Sequence, residues 1–463
     1  MKINKNILYY ATAIGALKGV SLLMLPIITR YLPPEQYGTL NFLVSISAML
    51  SIFIGFGLAE VLFRFTAKQT CEQADILVGQ CLKVSCVIAI LFWCIALLSA
   101  PWVLSLLPVY VSILDFVLLI TNLSLSVILA NFLTRYRIHQ NAKSYMFTAV
   151  FQGVLQASLT LLFLALNLGI TGVLLSGMLA SLVLTLLLTI KHCSLFVLQG
   201  FWLKPIHFKY GFSVALSALF LYGLGGAENW IIISKLGPEK LAQYFIACQF
   251  VLAVSLCFEP FRMWWFPIRF KRYYQKAVLA AQGAQLGCYV ICLLAFTMML
   301  LGPYLIEFFL PKSYHASSEY IPLLCCILVL KTFSELLNLG CYLEKTARTV
   351  PIINGICAVI AIVSVWWLID LFSIDGVFYG LVIAHICRLL AFYVLSQQKV
   401  SLVYQHSRLL VMLACLVTVL MSTQQSGAYT LMIILFSILC ATSFAVFQIQ
   451  TSQLAFKQAQ HDY

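Results

Sequence analysis

The chain has 463 residues, 62% of them hydrophobic and only 9% charged, with a formal net charge of +13 and a mean hydropathy of +1.00. A soluble domain carries roughly 25% charged residues, so a chain this poor in charge cannot clothe itself in a polar surface, and a water-soluble globular protein is excluded. The apolar runs do not alternate, which excludes a membrane barrel built from roughly 10-residue alternating strands; their length fits helices crossing a hydrocarbon core of roughly 30 Å.

In chain order the apolar runs predict fourteen spans, at 7–29, 39–63, 79–100, 112–133, 145–167, 170–190, 212–234, 241–258, 277–301, 321–340, 350–370, 376–396, 408–422 and 428–448. Lys2 and Lys5 precede the first run as they would in a signal peptide. Lys18 interrupts that run, however, and no small-x-small cleavage site follows, so it reads as a retained first helix. The 16 cysteines are scattered, with no C-x-x-C and no zinc spacing, and read as small apolar side chains; no metal and no cofactor is expected.

Polar residues inside the spans are the candidate site. Lys18 lies halfway along the first span, too deep to reach an interface comfortably. Asn122 and Asn131 in the fourth span and Gln152 and Gln156 in the fifth are candidates for hydrogen bonds to a ligand or between helices. Glu228 and Asn229, in the seventh span, are candidates for a coupling ion; pairing of Glu228 with a lysine is the alternative. Lys331 lies one turn before Glu335 in the tenth span, and the two either neutralise each other or leave Lys331 for a ligand. Arg388 follows His385 in the twelfth and either lines a cavity or reaches the inner interface. Together Lys18, Lys331 and Arg388 suit an anionic substrate. Glu60, Asp115 and Glu259 lie near span ends and receive no role.

Lysine and arginine set the orientation, because they are retained on the cytoplasmic side. With the N-terminus inside, only Arg30, Lys235, Lys240 and Lys312 of the 28 fall in outside segments. Both termini are therefore expected in the cytoplasm, and the basic balance reflects this bias, not a nucleic-acid partner. Tryptophans near span ends, such as Trp102 and Trp366 outside and Trp202 and Trp264 inside, form the expected interfacial belts.

A corner is written twice. "LPPEQYG" (Leu32 to Gly38) and "LGPEKLA" (Leu236 to Ala242) are 204 positions apart, and "GITGV" (Gly169 to Val173) and "SIDGV" (Ser373 to Val377) share that offset. "QNAKS" (Gln140 to Ser144) and "KTART" (Lys345 to Thr349) differ from it by one. Spans 1–6 thus match spans 7–12 as parallel repeats, the plan of a rocking transporter with its site near the midplane. The expected organisation is an N-terminal lobe at 1–211, a second lobe at 212–398, and two further spans with a short tail at 399–463.

The stretches "ITRYLPPEQYGTLNFLVSISAML", "GFGLAEVLFRF", "EKTART" and "FFLPKSYHASSEYIPLL" resemble the polysaccharide-transporter branch of the multidrug/oligosaccharidyl-lipid/polysaccharide exporters, which includes the Wzx O-antigen flippases. The resemblance spans nearly the whole chain through diffuse patterns. It implies an all-α membrane protein with two six-helix lobes about a cationic cavity. It also implies transport, without enzymatic chemistry, of undecaprenyl-diphosphate-linked oligosaccharide from the cytoplasmic to the periplasmic leaflet of a bacterial inner membrane. The implied partners are the lipid-linked oligosaccharide, the bilayer, a polysaccharide polymerase and a chain-length regulator. Two alternatives stay open: a small-molecule or drug exporter of the same superfamily, and a membrane polysaccharide polymerase or ligase.

Overall fold

The computed structural model describes residues 5–67, 69–197, 200, 203–343, 349–423 and 428–461. Lys2, Lys68, Trp202, Lys345 and Arg348 of the topology and repeat arguments lie outside them, as does most of "EKTART". All regular structure among the described residues is helical. Twelve helical stretches are long and apolar enough to cross a membrane. The expected seventh and eighth spans fall together within one of these, Pro205–Gln275, and the expected thirteenth is a shorter apolar helix, His406–Ser422.

Helix starts follow local chemistry. α1 (Lys5–Tyr31) stops before a proline pair, and Pro34 opens α2 (Pro34–Gly55), where the missing N–H costs nothing. The expected second span is not continuous. Phe56 and Gly57 both take left-handed backbone, ending α2 and starting α3 (Leu58–Thr66). Thr70 and Gln73 form a capping box on α4 (Cys71–Leu106). Ser112 caps α5 (Ile113–Ile138) and Asn141 caps α6 (Ala142–Ala165), each accepting a backbone N–H with its side-chain oxygen. α7 (Gly169–Lys191), the single turn α8 (Ser194–Val197) and α9 (Pro205–Gly223) follow. α10 (Glu228–Gln275) is interrupted at Gly237, whose φ of 83° and ψ of 175° no L side chain adopts comfortably.

By packing, the chain forms two compact units. The first is Met1–Tyr222 with Ile233–Ala242. In it α1 packs on α6, and α5 packs between α4 and α7 around the buried Phe132, Val78 and Leu184. The two copies of the repeated corner meet inside this unit: a Cβ on Gly38 would lie 1.8 Å from the Pro238 carbonyl oxygen. Only a glycine permits that approach.

The second unit is Gly223–Ile232 with Gln243–Tyr463. It contains α11 (Ala277–Phe309), a 3-10 segment at Lys312–Tyr320, α12 (Ile321–Leu336), the short α13 (Leu339–Tyr342), α14 (Thr349–Phe372), α15 (Ile374–Lys399), α16 (His406–Thr423) and α17 (Ala428–His461). α12 packs on α11 and α15, α14 on α15, and the two last helices close on α11.

Candidate functional site: charges inside the spans

In the first unit Lys18 projects from the middle of α1 with an exposed side chain. Among the described residues it has no hydrogen-bond or ion-pair partner. Gly15, one turn earlier, leaves the same face open: a Cβ there would meet nothing within 4 Å. A membrane-embedded ammonium left in this state needs water or an anion, since burial in hydrocarbon costs about 2.5–3.5 kcal/mol even on insertion scales.

The amides of this unit hold helices together. Asn131 is buried on α5 and donates to Ser85 Oγ of α4 at 2.7 Å and to the Val127 carbonyl at 3.1 Å. Asn122 Oδ1 accepts from Ser181 Oγ of α7 at 2.7 Å. Gln156 is exposed on α6 and comes close to Asn122 across Gly177, whose Cβ would lie 3.2 Å from one amide nitrogen and 3.4 Å from the other. Gln152, one turn earlier, is half-buried. Of the four, the exposed Gln156 is the one free to reach a ligand.

The break at Phe56–Gly57 adds a feature that sequence reading missed. A cavity of about 330 Å³ lies beside it, lined by Glu60, Ser126, Asn131 and Ala215 among others. Glu60 is exposed there and, among the described residues, unpaired.

At the expected cytoplasmic end of this unit, the two carboxylate oxygens of Asp75 accept from Nε and Nη2 of Arg135, each at 2.8 Å, and His139 Nε2 lies 2.7 Å from one of them. His192, just past α7, sits 3.0 Å from the Tyr136 hydroxyl and 3.5 Å from Arg135. Burial, reinforced by the charges of Arg135 and Lys191 and opposed by Asp75, lowers the His192 pKa below 6.5. The ring is held neutral.

In the second unit, α12 and the residue just past its neighbouring turn carry a polar stripe, Lys331, Ser334, Glu335 and Asn338, at helical spacing. Three arginines converge on it. Arg262 of α10 pairs with Glu335 and reaches Glu259 at 3.7 Å. Arg269, a turn pair later, donates to Asn338 at 3.4 Å and lies over Phe266, Phe270 and Tyr342 at 4.6–5.0 Å. Arg388 of α15 donates to Ser334 Oγ at 2.9 Å and Asn354 Oδ1 at 3.0 Å, and packs over Phe392.

Lys331 and Glu335 therefore do not neutralise each other. Glu335 turns toward α10 and takes Arg262, which leaves Lys331 exposed and, among the described residues, unpaired. Arg388 is 6% exposed, with its Nε and one Nη held by Asn354 and Ser334. Arg262 and Arg269 had been assigned to an inner loop. Their seven-residue spacing on the part of α10 that follows Gly237 places them on a shared face.

Glu228 opens α10 and is 6% exposed. Its carboxylate accepts from the Gly226 N–H at 2.6 Å and from the Tyr244 hydroxyl at 3.0 Å. The neighbouring Asn229 is also buried.

This fold, with its membrane-length apolar helices, defines a multi-pass helical membrane protein. A family model described as "Polysaccharide biosynthesis protein" matches residues 3–272, more than half of the chain, and the chain belongs to that family. Among solved structures it is similar to the lipid II flippase MurJ in an inward closed conformation, with a TM-score of 0.68 and 13% identity over 96% of this chain and 99% of that one. An inward-facing multidrug resistance MATE family transporter of the MOP superfamily gives 0.66 and 15% over 87% and 96%. A MOP superfamily transporter from Pyrococcus furiosus gives 0.61 and 15% over 85% and 95%. At these identities the likeness establishes the fold. No curated protein matches the chain in sequence.

Proposed function

We propose that the protein is a flippase that moves undecaprenyl-diphosphate-linked oligosaccharide from the cytoplasmic to the periplasmic leaflet of a bacterial inner membrane, for O-antigen or another surface polysaccharide. The observation that carries this reading is a pair of unpaired, exposed cations inside the spans, Lys18 on α1 and Lys331 on α12. Family membership and the fold of MurJ agree with it. In this mechanism the repeats at 1–211 and 212–398 rock to give alternating access. Lys18 neutralises the diphosphate while the lipid tail stays in the bilayer, and Lys331 is a second candidate for that role. Arg388 supports them at one remove by fixing the α12 stripe. Glu228 and Asn229 form the candidate coupling site, and Gln156 contacts sugar. An inside-negative potential favours outward movement of an anion by about 2.3 kcal/mol per charge per 100 mV. The termini face the cytoplasm, and a polymerase with a chain-length regulator consumes the product.

The drug-exporter alternative draws on Glu60, an exposed carboxylate in a cavity that a cationic drug would suit. Deleting the gene separates the two. Loss of surface polysaccharide with lipid-linked repeat units accumulating on the inner leaflet supports the flippase. Intact polysaccharide with altered resistance to cationic drugs rejects it. Normal single-unit export without chain extension points instead to a polymerase. Reporter fusions after Lys143 and Lys209 should read cytoplasm, and fusions near Glu35 and Gly169 should read outside.

A further inference from the structure

A second cavity of the first unit, about 460 Å³, opens among the α1–α2 turn, the start of α5 and the α6–α7 turn. Its volume falls in the range of small-molecule sites, roughly 300–1,000 Å³. Asp115 forms its buried wall, 9% exposed, with Thr171 donating to one carboxylate oxygen at 2.6 Å and Ser112 to the other at 2.7 Å. Around it stand Tyr31, half exposed, and the exposed amides of Gln36 and Asn167. Among the described residues, none of these three side chains has a hydrogen-bond partner. Asn167 holds a left-handed φ of 58°, and Gly169, two residues on, allows Gln36 to approach: its Cβ would lie 3.4 Å from the amide oxygen.

The chemistry of this lining is selective. A carboxylate in the wall repels phosphate. One carboxylate whose oxygens already accept hydroxyls falls short of the six or so oxygen ligands a calcium ion takes. An aromatic face beside two amides and a carboxylate suits a neutral polyol with one apolar side. Ring C–H groups cover the tyrosine, while hydroxyls donate to the carboxylate and amide oxygens and accept from the amide N–H groups. We propose that this cavity binds a sugar of the oligosaccharide on the periplasmic side, after translocation. The placement of the sugar rests on the flippase reading; the ligand class rests on the lining.

The test uses full-length protein in phospholipid nanodiscs, free of sugar detergents, with saturation-transfer NMR to D-galactose, D-mannose, L-rhamnose and N-acetyl-D-glucosamine, each in turn. Tyr31→Leu keeps an apolar side chain, and Asn167→Gly keeps the left-handed backbone, so both are expected to fold; their melting is checked against wild type. The expected result is transfer to at least one sugar, reduced about fivefold in Tyr31→Leu, Asn167→Gly or both. Absence of transfer to every sugar, or equal transfer in wild type and both variants, overturns the site. Sugar transfer as expected in a protein whose deletion leaves surface polysaccharide intact would sink the flippase reading and leave the site in place.

Discussion

Lys18 on α1 and Arg388 on α15 are both cations deep in apolar helices, and the structure treats them in opposite ways. Lys18 is exposed and, among the described residues, unpaired, on a helix face that Gly15 keeps open. Arg388 is buried, its guanidinium spent on Asn354 and Ser334. Embedded charge is thus no single signal. A cation with fixed acceptors is part of the packing, whereas one without them is available to a ligand. Arg262 belongs with Arg388, because its charge is answered by Glu335. Lys331, one turn from that pair, belongs with Lys18.

The largest effect on stability should come from breaking the paired class. Arg262→Met leaves the part-buried Glu335 carboxylate unanswered, and solvent screening should hold the loss to at most about 3 kcal/mol, the lower end for buried pairs. Detergent-solubilised melting should fall sharply, and Glu335→Gln added to the same protein should restore much of it. A variant that melts as wild type does would mean the pair is not structural.

Arg388→Met comes next. It strands a buried amide oxygen and a hydroxyl, a cost of about 1–3 kcal/mol. Folded protein in the membrane should drop, while transport per inserted molecule stays near wild type. Loss of transport at normal abundance would move Arg388 into the ligand-binding class.

Lys18→Gln should do the reverse. Stability should stay within about 0.5 kcal/mol, as for exposed substitutions generally, while transport per inserted molecule falls about tenfold, equivalent to roughly 1.4 kcal/mol. Lys18→Arg should keep part of the activity, since charge is retained but the head-group geometry is not. Wild-type transport in Lys18→Gln would leave Lys331 as the sole candidate.

The smallest effect concerns His192. Its folded pKa lies below 6.5, so the folded state favours the neutral ring. The stability this contributes is complete above that value and is lost as pH falls through the folded pKa. Wild type should therefore lose more folded protein between pH 7.5 and pH 5 than His192→Gln does, measured by fluorescence-detected size exclusion. Equal losses would remove His192 from the account.

Much of the plan was legible in the chain. The run lengths called for membrane helices, and the repeated corner marked out a feature that proves structural: its two copies pack on each other at Gly38 and Pro238. The polar partnerships were not legible. Lys331 and Glu335 are correctly spaced to pair, yet they separate because Glu335 faces a better donor on another helix. Arg262 and Arg269 read as loop residues because they lie between the expected spans 241–258 and 277–301, where Pro260 and Pro267 also fall. α10 runs through both prolines, which neighbouring groups in a membrane protein can accommodate. The break at Phe56–Gly57 was likewise hidden inside an apolar run.

What the amino-acid order determined by itself is whatever depends on transfer between water and hydrocarbon. That includes that the apolar segments are helical and long enough to span, and which loops are basic, because each follows from local composition summed over about twenty residues. What the tertiary structure alone decided is which embedded charge is satisfied. That depends on the rotation of each helix about its axis and on which neighbour it meets, and a shift of one residue turns a side chain by about 100°. For this reason Lys18, Lys331 and Arg388 are equivalent in the sequence and divide only in the fold, into two cations left open and one held shut.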